Sequence, residues 1–150
     1  MINIKFLVNE VKEKFKKMVI NCTNLKPVMN LIAVKAYKEV IDHFDSEMGT
    51  DGKWPTWRRK QSDGTYRYYS SRPTKRGGNK LLQDTGMLRN SLRFKGFEKE
   101  AQVYDGSKNG YGKYHQFGTK NMPKRDFLWV TTENEEEYAK MIEKYVIGGK

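Results

Sequence analysis

LLQDTGMLRNSL at residues 81–92 and YGKYHQFGTKNMPKRDFL at residues 111–128 are the two stretches on which the fold of this chain turns. In the first, Asp84-Thr85-Gly86 precedes Met87, Leu88 and Leu92. That order predicts a short helix with Asp84 or Thr85 as its cap and the three apolar residues on its buried side. Between the two stretches, Ser91–Phe97 and Ala101–Tyr104 read as strands, and the charged Glu98-Lys99-Glu100 between them predicts a hairpin. DGSKNG (105–110) is a turn, and FLWVT (127–131) reads as a further strand.

Outward from this centre the pattern becomes helical. Glu133–Ile147 predicts a C-terminal helix capped by Thr132, with Tyr138, Met141, Ile142 and Tyr145 as its apolar face. Its acidic first turns suit the positive end of a helix dipole. At the other end, Leu7, Val11, Phe15, Met18 and Cys22 recur at three- or four-residue spacing against a lysine-rich face, which predicts a helix from about Lys5 to Asn21. Pro27 opens a second helix carrying Val28, Leu31, Ile32, Ala36, Val40 and Phe44, which stops near Met48-Gly49. The two are expected to form a hairpin sharing one apolar seam. The resulting class is α+β in a single domain over 1–150: N-terminal helical hairpin, long basic loop, small antiparallel sheet, C-terminal helix.

The loop is residues 49–79. It holds turn pairs at Asp51-Gly52, Asp63-Gly64 and Gly77-Gly78, two prolines and no helical period. A long, mobile excursion with a short hairpin around Asp63-Gly64 is expected. From Asp51 to Lys99 the chain carries 13 Lys/Arg against 4 Asp/Glu, so this third supplies most of the net charge of +11. Such a field attracts polyanions and acidic surfaces without choosing between them. Trp54, Trp57 and Tyr68, interleaved with Arg58, Arg59, Arg72, Lys75 and Arg76, are the candidate contact residues. Lys/Arg with Trp/Tyr suits phosphates and unpaired bases, and the same residue types populate protein–protein hot spots. Composition leaves both partners open.

Catalytic chemistry finds less support. His115 titrates near neutrality, but Ser91 and Ser107 lack the elbow that would activate a nucleophile beside it. A histidine bonded to a backbone turn and packed beside Phe117 is the simpler reading. His43, His115 and Cys22 are too dispersed for a zinc pattern, and the glutamates at 133–137 are explained by a solvated helix start. GSKNGYGK (106–113) lacks the spacing of a phosphate loop. No cofactor or metal is expected. The lone cysteine precludes an intramolecular disulfide and suits a reducing compartment, no apolar run reaches membrane-spanning length, and the N-terminus turns charged too soon for a secretory signal. A soluble, cytoplasmic protein is the expectation.

The order of motifs resembles the phage virion-morphogenesis family, which includes Mu-like tail-completion proteins. Gly49, Trp54 and Trp57 stand at the linker; Leu81, Leu82, Thr85, Gly86, Leu88 and Ser91 give LLxxTGxLxxS. Tyr111, His115, Gln116, Phe117, Gly118 and Thr119 give the HQFGT segment, and Pro123, Arg125, Phe127 and Leu128 give PxRxFL. The richly basic YRYYSSRPTKRGG insert and Trp129 depart from the pattern. The resemblance implies a structural, non-enzymatic protein of the virion, assembled in the host bacterial cytoplasm. It implies a late role in completing or terminating the tail, or joining head to tail, as a homo-oligomeric ring contacting tail-tube or connector proteins. A nucleic-acid-binding module using 49–79 is the alternative. In the shared motif, Gly86 and Gly118 are expected at turns, His115 and Gln116 as short-range hydrogen-bonders, and Arg125 as a partner of Asp126, Asp84 or a neighbouring subunit.

Overall fold

A computed structural model describes residues 4–60, 62–69, 80–83, 85–120 and 122–148. The chain divides into two compact units interleaved in sequence. One holds residues up to Lys35, Lys95–Gln102 and the stretch from Val130 on; the other holds Ala36–Phe94 and Val103–Trp129.

In the first unit, α1 (Ile4–Thr23) and the opening turns of α2 (Lys26–Ser46) meet α5 (Thr132–Ile147). Val28, Met29 and Ile32 are buried against Leu25, Ala101, Tyr138, Met141, Ile142 and Tyr145. Polar bonds fasten the helix ends: Asn21 Nδ2 donates to Tyr145 O (2.8 Å), Tyr145 Oη donates to Asn24 O (3.0 Å), and Lys35 pairs with Glu137. Among the described residues the expected apolar seam between α1 and α2 is not formed. α1 packs on α5 instead, and of the stripe that predicted the seam Phe15 is 62% exposed, Val11 and Cys22 are exposed and Met18 is half-buried. Leu31 of α2 is likewise 60% exposed. Asn21 lies on the face of α1 that meets α5. The α5 cap falls one residue before the expected one: Thr131 Oγ1 accepts from Asn134 N (3.1 Å).

The second unit has a core of Val40, Phe44, Trp54, Leu81, Leu88, Leu92 and Phe127. Phe44 sits at its centre, edge-on to Trp54 (5.6 Å between centroids) and tilted against Phe127 (5.2 Å). Of the 49–79 stretch, the described part up to Tyr69 holds two short strand pairs. β1 (Met48–Gly49) pairs with β2 (Gly52–Lys53), and β3 (Trp57–Lys60) pairs antiparallel with β4 (Tyr66–Tyr69) across the expected Asp63-Gly64 turn. Arg72, Lys75 and Arg76 lie outside the described residues, as does Asp84. The short helix α3 (Met87–Ser91) forms as anticipated; its N-cap is Gly86 at φ +69°, and the Thr85 hydroxyl accepts from Met87 N (3.3 Å). Leu88 and Leu92 are buried, but Met87 is exposed. The hairpin of β5 (Leu92–Gly96) and β6 (Ala101–Asp105) belongs to both units: Leu92–Phe94 and Val103–Asp105 lie in the second, and its turn, in the first, is closed by Phe97 N donating to Glu100 O (2.7 Å).

Two elements differ from expectation in the 105–131 region. HQF does not lie in a loop but ends a helix, α4 (Gly112–Phe117). Asp105 prepares its start: Oδ2 accepts from Gly112 N (3.0 Å) and Ser107 Oγ (2.8 Å), while Oδ1 accepts from Ser107 N and Ser91 Oγ (2.8 Å each). Burial alone would raise the Asp105 pKa, but these bonds outweigh it and hold the carboxyl below its ordinary value. FLWVT, conversely, is not a strand. The backbone groups of Phe127 and Leu128 are bonded by side chains, as described below.

Candidate interaction site

The motif residues converge in the second unit on one irregular segment, 125–128. Gln116, on α4, grips it three times: Oε1 accepts from Phe127 N (3.1 Å) and Leu128 N (3.0 Å), and Nε2 donates to Leu128 O (3.0 Å). From α2, His43 Nδ1 donates to Phe127 O (2.9 Å), and its ring stacks on Trp129 at 4.1 Å and 7°. Phe127 is thereby driven fully into the core. Gly118 makes the turn out of α4 at φ +72°, and Thr119 and Met122 exchange backbone bonds to close it.

The same segment fastens the base of the β3–β4 ribbon. Arg125 is only 2% exposed, and donates from Nε to Pro55 O (2.9 Å) and from Nη2 to Thr56 O (3.3 Å), the residues that lead into β3. Trp54 Nε1 donates to Asp126 O (2.8 Å). Asp126 Oδ2 accepts from Thr50 N (3.0 Å) and Thr50 Oγ1 (2.6 Å), with Lys124 Nζ at 3.5 Å. Burial works to raise the Asp126 pKa, yet the Thr50 bonds and Lys124 carry it below its usual value. Trp54, a candidate contact residue from sequence, is 4% exposed and anchors the ribbon from within the core.

His115 departs from its expected surroundings. Its backbone carbonyl accepts from Arg125 N (2.8 Å), and its ring meets Tyr111 edge-on at 6.3 Å rather than packing beside Phe117. Nδ1 is buried without a hydrogen-bond partner among the described residues. Burial and the Arg125 charge both lower its pKa, so the ring stays neutral at physiological pH. Phe117 is 78% exposed, and Tyr114, three residues earlier on the same helix, is exposed as well. This aromatic pair was not singled out as a contact from sequence. Its signal was the three-residue spacing, visible only once α4 is recognised as a helix.

The charge that acts on the His115 ring is that of Arg125, a cation. Among the described residues, no group of three or more His, Cys, Asp or Glu is placed to hold a metal ion, and no helix is long and apolar enough to cross a membrane. What the residues do build is a braced corner that fastens the root of the β3–β4 ribbon. Neither a curated protein nor a solved structure matches the chain. A family pattern does: that of the phage virion morphogenesis family, over residues 7–147. The chain belongs to the phage virion morphogenesis family. Its role is accordingly in building the phage particle. The HQFGT and PxRxFL motifs of this member of the family are thus the two halves of one clamp.

Proposed function

We propose that this morphogenesis protein acts late in tail assembly, completing or terminating the tail or joining it to the head. It works by association: copies form a ring through head-to-tail contacts that close under cyclic symmetry, and the ring engages tail-tube or connector proteins. The 49–79 segment makes the contact, with Trp57, Arg58, Arg59 and Tyr68 in the ribbon and Arg72, Lys75 and Arg76 beyond it. The observation that carries this reading is the fastening of the ribbon's base: a buried arginine and a buried tryptophan hold Pro55–Thr56 and Asp126 in place, so a cationic element projects from a fixed origin. Fixing the base lowers the conformational entropy lost when the ribbon docks.

The test is complementation. Particles produced without this chain are expected to show unfinished tails or unjoined heads in electron micrographs. Supplying the full chain restores them, and a chain with residues 57–69 replaced by a short glycine linker does not. Normal particles in the absence of the chain would refute the assembly role.

A further inference from the structure

Helix α1 has little cover of its own. From Glu10 to Thr23 only Met18 and Asn21 are as much as half-buried, and a helix of this length is marginal in water unless an amphipathic face is packed. The apolar residues left outside are ordered. Val11, Phe15, Met18 and Cys22 follow one another at steps of four, three and four residues, the a and d alternation by which one helix seats against another. Val11, Phe15 and Cys22 are exposed, as is Val19 beside them. In that frame Lys12 and Lys14 take the e and g positions, one on each side of the seam, while Glu10 and Glu13 lie on the outer side of the helix. The seam is apolar along its middle and cationic at its borders.

Charge then selects the occupant. Two copies of α1 would set lysine-bordered seams against each other, and over 10–23 each brings four lysines against two glutamates. The chain's own acidic helix, α5, does not serve from a second copy, because its apolar face of Tyr138, Met141, Ile142 and Tyr145 already packs on Val28, Met29 and Ile32. A bilayer surface takes a broad apolar face rich in Trp, Phe and Leu under a basic polar side; this row is narrow, and its polar side carries Glu10 and Glu13. Phosphates would meet the lysines but leave Val11 and Phe15 uncovered. We infer that α1 seats an acidic amphipathic helix of another protein of the particle, its apolar residues against Val11 and Phe15 and its carboxylates beside Lys12 and Lys14. This interface is additional to the one proposed for 49–79 and uses no residue of that segment.

Two measurements test it. The full chain is titrated at physiological salt with a labelled synthetic helix carrying leucine at a and d and glutamate at e and g, and with the same helix carrying lysine at e and g. Phosphatidylglycerol vesicles and a short DNA duplex are the other arms. The glutamate-bordered helix should bind, and Phe15→Ser should weaken it about tenfold. Lys12→Glu/Lys14→Glu should transfer the preference to the lysine-bordered helix; a gained partner cannot be mimicked by a loss of folding. In assembling particles, a photoreactive phenylalanine replacing Phe15 should crosslink to an acidic helical segment of another protein, identified by mass spectrometry. Equal binding of the two helices, tighter binding to vesicles or duplex, a preference unmoved by the charge swap, or an adduct only to a second copy or to nothing would each overturn the inference. Any of these leaves the reading of 49–79 to the replacement of residues 57–69, which does not touch α1.

Discussion

Replacing Gln116 with leucine removes the clamp on 127–128 while nearly preserving side-chain volume. Three hydrogen bonds disappear at once: two accepted from Phe127 N and Leu128 N, and one donated to Leu128 O. At about 1 kcal/mol net per bond the loss is about 3 kcal/mol. Half-buried Leu128 can recover some hydration, so 2–3 kcal/mol is expected. In a chain of this length that lowers Tm by about 4–12 °C and the urea midpoint by about 1 M. The assay is urea unfolding followed by tryptophan fluorescence. All three tryptophans (Trp54, Trp57 and Trp129) fall in the second unit, so the signal reports the unit that holds the clamp. Gln116→Glu supplies a control of opposite chemistry. Its ionised carboxylate still accepts from the two amides but faces Leu128 O without a proton to give. Its deficit relative to wild type should narrow as pH falls through the carboxyl pKa and a donor is restored. A loss below about 0.5 kcal/mol for Gln116→Leu, the range of an ordinary surface change, would refute the reasoning that side chains replace a strand here.

Gly118→Ala should cost about 2 kcal/mol or more, because φ +72° with ψ 177° is glycine territory and a Cβ would meet Lys124 N at 2.8 Å; an unchanged thermal midpoint would contradict this. His115 binds its proton less readily folded than unfolded, so stability should be fully present above about pH 6.5 and decline as pH falls from there through the lowered folded value. His115→Gln should abolish that step in urea midpoints measured from pH 8 to pH 5, leaving the later loss below about pH 4 to carboxylates such as Asp105 and Asp126; an undiminished step in the variant would place it elsewhere. Phe15→Ser, on the exposed stripe of α1, should shift thermal unfolding by less than about 0.5 kcal/mol, whereas a large drop would mean that α1 buries this face.

Much of the architecture was legible in the sequence because its signals are local. The spacing of Val28, Ile32, Val40 and Phe44 marked the buried side of α2. Asp63-Gly64 and Glu98–Glu100 marked the two hairpins. What escaped were features decided by groups distant in sequence. FLWVT has the composition of a strand, but the amides and carbonyls of Phe127 and Leu128 are bonded by Gln116 and by His43, 84 positions upstream of Phe127. The α1 stripe has core periodicity, yet the face that docks carries Asn21, whose partner Tyr145 is 124 residues away. At the candidate site the ribbon's cations could be named in advance. The anchoring role of Trp54 could not: composition does not set it apart from Trp57, and the bond to Asp126 O and the burial of its ring lie outside any local pattern.

The fastening at Pro55–Thr56 also has a mechanical side. Tension applied to the ribbon reaches the body of the protein through bonds made by Arg125 and Trp54 at 2.9, 3.3 and 2.8 Å, all set close to its root. Bonds loaded in parallel share the strain and yield together, whereas bonds loaded in series fail one after another. A pull on the ribbon would therefore be carried by these bonds together into the Phe44–Phe127 centre itself.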